Sequence, residues 1–395
     1  MMIYATPELT SKDRSVLGEI HEMRRTLADV LRTPRRWTGG LRKTMLARAI
    51  LGSNSIEGYV VAEDDAAAAL DDEEPLSADE RTFAEIRGYR QALGYVLQSA
   101  ADPYFRFDTS VIRSMHYMML SHDLSKSPGQ YRSGPIYVYD ERTDRRVYEG
   151  ADAGDVPGLL EELARHLRSD EPADPLVRAA MAHLNLVMIH PFRDGNGRMA
   201  RALQTLVLSR EAIVEPAFSS IEEWLGSNTE DYYRVLAITG RGRWSPEGTA
   251  DLWVSFNLRA HHMQAQTVAR RFQEASAIWA ELDALVAQET LPERVTGLLY
   301  EAVLGYRVRR PLYIKLAQVE ERTASRDLAR LAEHGLLEAR GERRGRHYVA
   351  GAVLEQVRQR IRQQRAPIED PYVGMPVVLA TKAAAAVGPQ PSADP

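Results

Sequence analysis

The stretch His190-Pro191-Phe192-Arg193-Asp194-Gly195-Asn196-Gly197-Arg198-Met199-Ala200-Arg201 decides the fold. It joins an apolar helical run at 176–189 to a second apolar run at 202–208. Within twelve residues it carries an imidazole, a carboxylate, an amide, several guanidinium groups and two glycines. So much polar chemistry between two hydrophobic helices indicates a functional site held inside a helical domain.

The glycines and arginines of this stretch favour anion binding. Gly195 and Gly197 can adopt positive φ, so the N–H groups between them can turn inward together. Such a group of N–H donors at the start of a helix binds anions, assisted by the helix dipole. Arg198 and Arg201 are three residues apart, share one helix face and can reach the same polyanion.

Two further side chains complete this chemistry. Asp194 suits Mg²⁺, which commonly takes one or two protein carboxylates together with phosphate oxygens. His190 has an intrinsic pKa suited to accepting a proton from an attacking hydroxyl. The stretch therefore predicts group transfer from a nucleoside polyphosphate, with Mg²⁺ as the expected metal.

Composition limits the class of protein. A chain of 395 residues allows two or three domains, and 44% hydrophobic with 27% charged residues is typical of a globular protein. The absence of cysteine excludes disulfides and thiolate catalysis. The start of the sequence has no apolar signal core, and no apolar run approaches the ~18 residues of a membrane span. We expect a cytoplasmic protein with no membrane partner.

Charge is unevenly distributed. The net charge is −5, yet residues 306–365 hold fifteen Arg or Lys against seven Asp or Glu. A basic C-terminal module on an acidic body indicates a polyanion partner for that module alone. The acidic, alanine-rich segment 63–80 is predicted to be a solvated linker or exposed helix.

The periodicity predicts a mainly α-helical protein with one small hairpin before residue 286. We divide the chain into an N-terminal helical region (1–105), a core with its supporting helices (106–286), a C-terminal module (287–365) and a disordered tail (366–395). Predicted helices cover 12–31, 41–56, 78–100, 108–121, 155–169, 174–189, 197–211, 219–225, 228–239 and 248–286, with hairpin strands at 135–139 and 146–149.

The C-terminal module has a different pattern. Helices are predicted at 291–304, from 310 and at 323–334, followed by strands at 336–340 and 346–350 around a glycine-containing turn. Three helices and a hairpin in this order are typical of a winged helix-turn-helix. Arginines on its third helix and on its turn could contact DNA phosphates or bases. These are Arg322, Arg326, Arg330, Arg343, Arg344 and Arg346. Dimerisation or packing on a neighbouring domain is an alternative use of such a module.

The central stretch resembles the signature of the Fic family, HxFx[D/E]GNGRxxR, with every fixed position filled. The resemblance extends over about residues 40–245. It includes Pro128-Gly129-Gln130-Tyr131-Arg132, which is similar to the segment before the family's hairpin flap. It also includes Asn228 to Tyr233, which is similar to the family's adenine-side helix. The implied fold is a helical bundle with a small β-hairpin flap.

The resemblance implies adenylylation, in which AMP passes from ATP to a Ser, Thr or Tyr hydroxyl of a target protein. His190 is then the catalytic base and Asp194 the metal ligand. The flap at 135–149 aligns the target by strand addition. The implied nucleotide-binding residues are Gly195, Asn196, Gly197, Arg198, Arg201, Tyr232 and Tyr233.

A second motif implies inhibition. Ser53-Asn54-Ser55-Ile56-Glu57-Gly58 resembles the family's inhibitory motif, [S/T]xxxE[G/N]. Ser53 and Glu57 are four residues apart and so project from one helix face. By resemblance, Glu57 pairs with Arg201 and takes the place of a γ-phosphate contact. The same Glu57 could instead orient a water that removes AMP from a modified target.

The same residues are compatible with other functions. A Fic body that only senses nucleotide, attached to a DNA-binding winged helix, would be a transcriptional regulator. A relative with a different phosphate-containing group to transfer is also compatible with the fold. His116 and His183 are predicted to be packing histidines, and no His, Asp or Glu cluster has zinc spacing. A homodimer is neither indicated nor excluded.

Overall fold

The computed structural model describes residues 1–75, 77–140, 144–169, 173–211, 214–342 and 345–386. Within these ranges the protein is mainly helical with two small antiparallel hairpins, which confirms the predicted fold class. The helices up to residue 288 are α1 Ser11–Leu31, α2 Thr38–Ile56, α3 Glu63–Leu70, α4 Glu80–Ala101, α5 Thr109–Leu120, α6 Val156–Arg168, α7 Pro175–Ile189, α8 Asn196–Glu211, α9 Pro216–Ser219, α10 Glu222–Ser227, α11 Thr229–Gly240 and α12 Asp251–Gln288.

The central element is α7, in which every residue from Leu176 to Ile189 except Arg178 is buried. Most of its side chains are apolar on every face, which suits a helix that packs against α6, α8 and α12. Trp253 of α12 donates its indole N–H to the carbonyl of Ala180 at 2.7 Å, which fixes α12 against α7. The end of α7 and the start of α8 are thereby held in the core, and the loop between them is the stretch singled out in the sequence.

The predicted hairpin is present beside this loop. Its strands are β1 Tyr137–Asp140 and β2 Arg145–Glu149, which pair antiparallel, while the turn at 141–143 lies outside the described residues. The hydroxyl of Tyr148 donates to the carbonyl of Met188 at 2.7 Å, and the N–H of Glu149 donates to the carbonyl of Gly242 at 3.0 Å. The hairpin is therefore tied to the end of α7, two residues before His190.

The C-terminal region has its elements in the predicted order. They are α13 Thr296–Leu304, α14 Arg310–Ala317, α15 Glu321–Glu333, β3 Leu337–Arg340 and β4 His347–Ala350, then α16 Ala352–Gln363. Val308 and Tyr348 exchange two backbone hydrogen bonds of 2.8 Å, so the chain before α14 adds to the hairpin. Arg343 and Arg344, named above for the turn, lie outside the described residues.

The prediction for segment 63–80 is wrong. Residues 63–70 form α3, and its alanines 66–69 are buried against neighbouring helices. Its acidic groups pair with the C-terminal region: Asp64 Oδ2 lies 2.8 Å from Arg307 Nε, and Glu63 accepts from the Tyr306 hydroxyl at 2.9 Å. The small alanine side chains allow close packing, and the carboxylates meet arginines that the local sequence does not contain.

The predicted disordered tail is also ordered in part. Residues Met375–Ala386 form α17, which packs on α11 with Leu379 fully buried. Asp370 pairs with Arg259 at 2.8 Å, and the Tyr372 hydroxyl donates to Asp13 at 2.6 Å. These anchors explain why a segment of low-complexity composition is held, while residues 387–395 lie outside the described part of the chain.

Candidate active site

The loop between α7 and α8 is closed by its own asparagine. Asn196 Oδ1 accepts from the N–H of Phe192 at 2.9 Å, and Asn196 Nδ2 donates to the Phe192 carbonyl at 2.8 Å. Gly195 has φ +76°, and a Cβ there would lie 3.0 Å from Leu120. The amide of Asn196, assigned above to nucleotide binding, is thus occupied in shaping the loop. Its contribution to an anion site is through the backbone geometry that it fixes.

His190 is held in an orientation suited to a base. It ends α7 in the left-handed region at φ 54°, and its Nδ1 lies 2.9 Å from the carbonyl oxygen of Val187. Because a carbonyl can only accept, Nδ1 carries the proton and Nε2 keeps its lone pair in the neutral ring. Burial lowers the pKa of His190, against the raising effect of the Val187 bond. The ring is therefore neutral and its Nε2 is a free acceptor near pH 7.

Arg132 fixes the backbone on both sides of His190. Its Nε donates to the carbonyl of His190 at 2.7 Å, and its Nη atoms donate to the carbonyls of Gly134 at 2.7 Å and Ala151. Its own N–H donates to the carbonyl of Pro191 at 3.0 Å. One largely buried guanidinium thus joins the segments on either side of the β1–β2 hairpin to the loop between α7 and α8.

Arg132→Met is expected to lower the free energy of unfolding by roughly 3 kcal/mol, because several buried carbonyls lose a charged donor. Urea denaturation measures this change. Arg113→Met is the matched control, since Arg113 is exposed and donates only its Nε to the Gly129 carbonyl among the bonds described. The control should lose about 1 kcal/mol. Equal losses in both variants would contradict the role given to Arg132.

His116 packs against the loop between α7 and α8. Its ring stacks on Phe192 with centroids 3.7 Å apart and planes 4° apart. Its Nδ1 accepts from the N–H of Gly129 at 2.8 Å, so the proton is on Nε2, which donates to the Asp194 carbonyl at 3.0 Å. His116 is a packing histidine, as predicted, and it also joins the turn before the flap to the loop.

Charged side chains form a continuous row along one side of the loop. Arg198 Nη1 lies 2.5 Å from Glu85 Oε2, and both side chains are 1% exposed. Lys126 Nζ lies 2.6 Å from Glu85 Oε1 and 2.8 Å from Asp194 Oδ2. Burial alone would raise the pKa of Glu85, but Arg198 and Lys126 lower it to about 2. The Glu85 carboxylate is therefore ionised at neutral pH.

Arg201 is bound by the predicted inhibitory motif. Its Nε donates to Ser53 Oγ at 2.8 Å, and its Nη2 donates to the Ser53 carbonyl at 2.8 Å and to Glu57 Oε1 at 2.7 Å. Burial would lower the pKa of Arg201, but the Glu57 carboxylate raises it above its ordinary value. The Arg201 side chain is fully buried and that of Glu57 is 25% exposed. The expected pairing of these two residues is present.

Glu57 also lies against the start of α8. A Cβ on Gly197 would collide with Glu57 Oε1, so only a glycine allows this approach. Gly58, which follows, has φ +83° and ends the turn after α2. The Glu57 carboxylate thus lies at the positive end of α8, where exposed N–H groups favour a negative charge.

The two tyrosines assigned to the nucleotide have different surroundings. Tyr232 is 1% exposed, and its hydroxyl lies 3.0 Å from His183 Nε2 and 3.5 Å from Arg201 Nη1. Tyr233 is half exposed, and its hydroxyl donates to the Ile56 carbonyl at 3.0 Å, next to Glu57. Tyr232 therefore lies behind Arg201 and orients it, whereas Tyr233 borders the open side of the site.

His183 gives the fold an acid-sensitive element. Burial lowers its pKa to about 3, against the raising effect of its bond to Gln204. Because this folded-state pKa is below the ordinary 6.5, its contribution to stability is present above pH ~6.5 and is lost as pH falls toward 3. Between pH 7 and 5 we expect a loss of about 2 kcal/mol from this residue.

His183→Gln cannot take up this proton. Its free energy of unfolding should therefore decrease by about 2 kcal/mol less than that of the wild type between pH 7 and 5. Urea denaturation at both pH values measures the difference. His347→Gln, on the partly exposed strand β4, is the control and should follow the wild type. An unchanged pH dependence in His183→Gln would show that His183 is not buried as a neutral ring.

Asp194 is the carboxylate of this site that the sequence assigns to a divalent cation. Within the described residues no group of three or more His, Asp or Glu side chains could hold a metal. Asp194 is 38% exposed, so its carboxylate can be reached from the open side. A single carboxylate fits Mg²⁺ when phosphate oxygens and waters supply the other ligands. Asp194 thus fits the metal that the sequence implies, provided that a nucleotide is bound with it.

Sequence reasoning did not assign roles to Glu85, Lys126 or Arg132. Glu85 and Lys126 are 113 and 68 positions from their partners Arg198 and Asp194, and no local pattern marks such pairs. Arg132 belongs to a segment noted for its resemblance, but its bonds to backbone carbonyls have no sequence signature. The sequence did offer one signal for Glu85. It is a charged residue at a position of α4 that lies on the buried face of an amphipathic helix.

Comparison with known proteins identifies the class of domain. The fold resembles a Fic family protein from Desulfovibrio desulfuricans G20, with a TM-score of 0.55 and 23% identity over 88% of this chain and 98% of that one. The likeness supports the helical fold. Residues 106–208 match the model of the Fic/DOC family. This part of the chain is therefore a Fic domain, and the resemblance read from the motif is confirmed over these residues.

Curated relatives carry the same family name. The chain is 25% identical over 250 residues to a protein adenylyltransferase Fic from Nematostella vectensis, covering 60% of this chain and 53% of that protein. It is 26% identical over 246 residues to protein adenylyltransferase fic-1 from Caenorhabditis elegans, covering 61% and 45%. The chain thus spans about half the length of these relatives. None of the described helices is long and apolar enough to cross a membrane.

Proposed function

We propose that this protein transfers AMP from ATP to a Ser, Thr or Tyr hydroxyl of a target protein. The observation that carries the proposal is the orientation of His190, whose Nδ1–H is fixed by Val187 so that Nε2 is an acceptor. The loop that follows has the N–H groups and arginines that suit phosphates. The names of the curated relatives support the same activity.

The proposed reaction uses few groups. His190 Nε2 accepts the proton of the target hydroxyl as its oxygen forms a bond to the α-phosphorus of ATP. The bond from that phosphorus to the bridging oxygen breaks, and pyrophosphate leaves. The start of α8 and Arg198 stabilise the negative charge on the phosphates. Mg²⁺, when bound with ATP, would be held by Asp194 and would neutralise phosphate charge.

We further propose that Glu57 holds this activity back. Its carboxylate occupies Arg201 and lies at the start of α8, where phosphate oxygens of ATP would otherwise bind. Ser53 accepts two more hydrogen bonds from the same guanidinium, through its Oγ and its carbonyl, so full release of Arg201 requires three hydrogen bonds to break. The alternative use of Glu57, orienting a water that removes AMP, depends on the same geometry. Incubation of an AMP-modified target with the wild type distinguishes the two, since only the second releases AMP.

The experiment that tests the transfer is incubation with α-labelled ATP and cell lysate, followed by mass spectrometry of the labelled protein. Labelling of a hydroxyl residue supports the proposal. If neither the wild type nor Glu57→Gly labels itself or any other protein, the proposed activity is wrong. The partners so defined are ATP and a target protein.

A DNA-binding role for the C-terminal module is a second candidate. It is favoured by Arg322 and Arg326, which are exposed on α15, the position of a recognition helix in a winged helix-turn-helix. Arg307 and Arg309 face the acidic residues after α2 instead. The module thus exposes positive charge on α15, while the residues just before α14 pair with the acidic segment that follows α2.

A mobility-shift assay with the protein's own upstream DNA tests this role. Binding should weaken steeply as salt is increased, because phosphate contacts release counterions. Arg326→Ala combined with Arg330→Ala should abolish the shift, whereas Arg25→Ala on α1 should not. A transcriptional regulator without transfer activity would show this result together with no labelling.

A further inference from the structure

Lys126 places a positive charge next to Asp194, the predicted metal ligand. Its Nζ is 2.8 Å from Asp194 Oδ2 and 2.6 Å from Glu85 Oε1. The Tyr59 hydroxyl lies 3.4 Å from the same nitrogen. The Lys126 side chain is 13% exposed, so this contact is partly shielded from solvent. It is stronger than a surface ion pair for that reason.

Both oxygens of the Asp194 carboxylate are engaged in this arrangement. Oδ1 accepts from the N–H of Gly195 at 2.5 Å, and Oδ2 is paired with Lys126. A divalent cation at Asp194 would lie within a few ångströms of the ammonium group. Two positive charges at that distance repel each other strongly in a partly shielded site. The metal and Lys126 therefore cannot both use Oδ2 without rearrangement.

The charges of the row are balanced when no nucleotide is present. Arg198 and Lys126 contribute two positive charges, and Glu85 and Asp194 contribute two negative ones. A divalent cation alone would disturb this balance. A nucleotide triphosphate brings several negative charges to the same place, which offset the metal and offer the ammonium group other acceptors.

We propose that Lys126 is a positioning residue that occupies Asp194 until nucleotide phosphates arrive, and so makes metal binding depend on nucleotide binding. This inference rests on the proposed function, because it assumes that phosphates bind at the start of α8. Lys126 ends a short 3-10 turn, Leu124–Lys126, and is followed by Ser127 with φ 53°. Its flexible side chain can turn from the carboxylate toward phosphates without movement of a helix.

The test is a titration of the 395-residue chain with Mn²⁺, in which electron paramagnetic resonance measures free Mn²⁺ without nucleotide. Lys126→Met should bind Mn²⁺ about tenfold more tightly than the wild type, since the competing charge is removed. Lys126→Arg keeps the charge and should resemble the wild type. Lys43→Met is the control, because Lys43 is also paired with two acidic residues, Asp71 and Glu301, away from Asp194.

Asp194→Asn in the Lys126→Met background should return Mn²⁺ affinity to the wild-type level or below. With the non-hydrolysable ATP analogue AMPPNP present at saturation, the wild type and Lys126→Met should bind Mn²⁺ within about threefold of each other. Equal or weaker Mn²⁺ binding by Lys126→Met without nucleotide overturns the inference. Lys126→Gln is measured in the same way, and decides the question if the Met variant does not fold.

The outcome separates this inference from the proposed activity. Mn²⁺ binding is measured without any transfer of AMP, so the inference is supported or overturned whether or not a target is labelled. A tenfold change in Mn²⁺ affinity with no labelling by Glu57→Gly would leave Lys126 as assigned and remove the adenylyltransferase proposal. Labelling by Glu57→Gly with unchanged Mn²⁺ affinity in Lys126→Met would support the adenylyltransferase proposal and overturn the role given to Lys126.

Discussion

Glu57→Gly should raise the rate of AMP transfer by roughly 10- to 100-fold over the wild type. The estimate follows from the loss of a hydrogen-bonded contact to a buried charge, worth about 1.5–3 kcal/mol. Glu57 binds Arg201 at 2.7 Å and lies on the start of α8, so its removal opens the start of α8 and leaves Arg201 held only by its two hydrogen bonds to Ser53. The initial rate of label incorporation from α-labelled ATP measures the change.

Matched variants separate the carboxylate charge from the side-chain volume. Glu57→Gln keeps the volume and removes the charge, so it should activate by less than Glu57→Gly. Ser53→Ala removes the acceptor of Arg201 Nε and should also activate in part. Glu22→Gln, an exposed position on α1, is the control and should leave the rate unchanged. A wild-type rate in Glu57→Gly, with ATP binding intact, would contradict the inhibitory role.

His190→Ala in the Glu57→Gly background should lower the transfer rate by about 10²- to 10⁴-fold, the usual contribution of a general base. The affinity for ATP should change little, because the proposed phosphate contacts come from α8 and its arginines. Label incorporation measures the first quantity and calorimetric titration with AMPPNP the second. His21→Ala, which removes a histidine paired with Asp174, is the control. Transfer at an undiminished rate would remove His190 from the mechanism.

These two effects are expected to differ in kind. The Glu57 variant should change both nucleotide affinity and rate, because its carboxylate competes with phosphate for the same groups. The His190 variant should change rate alone, because its Nε2 would meet the target hydroxyl and not the nucleotide. A loss of nucleotide affinity in His190→Ala would indicate that the loop, and not only the base, has been disturbed.

The candidate catalytic loop was predictable because its parts are adjacent in the chain. A histidine, a carboxylate, two glycines and two arginines at fixed spacing place one set of groups at one helix start. The pairing of Glu57 with Arg201 spans 144 residues and came only from resemblance to a family motif. The structure adds the reason for Gly197, whose missing Cβ leaves room for the Glu57 carboxylate.

The supporting residues could not be predicted from the sequence. Lys126, Glu85 and Arg132 act through partners brought near by tertiary packing, and each alone resembles an ordinary charged residue. The amide of Asn196 was expected at the nucleotide, yet the backbone of Phe192 is close enough to take both its donor and its acceptor. Whether the backbone or a ligand takes the Asn196 amide depends on the shape of the loop, which the sequence alone does not give.

Composition misled at two segments for a shared physical reason. Acidic α3 and the alanine-rich α17 look solvent-exposed because their side chains are charged or small. Each is held by distant partners, Arg307 for α3 and the surface of α11 for α17. Small residues allow close helix packing, but this packing stabilises a helix only when a complementary surface lies against it.

The most direct test of the account is mass spectrometry of protein hydroxyl residues after incubation of Glu57→Gly with ATP, Mg²⁺ and lysate. We predict AMP on a Ser, Thr or Tyr side chain, with little modification by the wild type and none by Glu57→Gly combined with His190→Ala. Absence of AMP with Glu57→Gly, or equal modification when His190 is also replaced, would contradict transfer by a His190 base held back by Glu57.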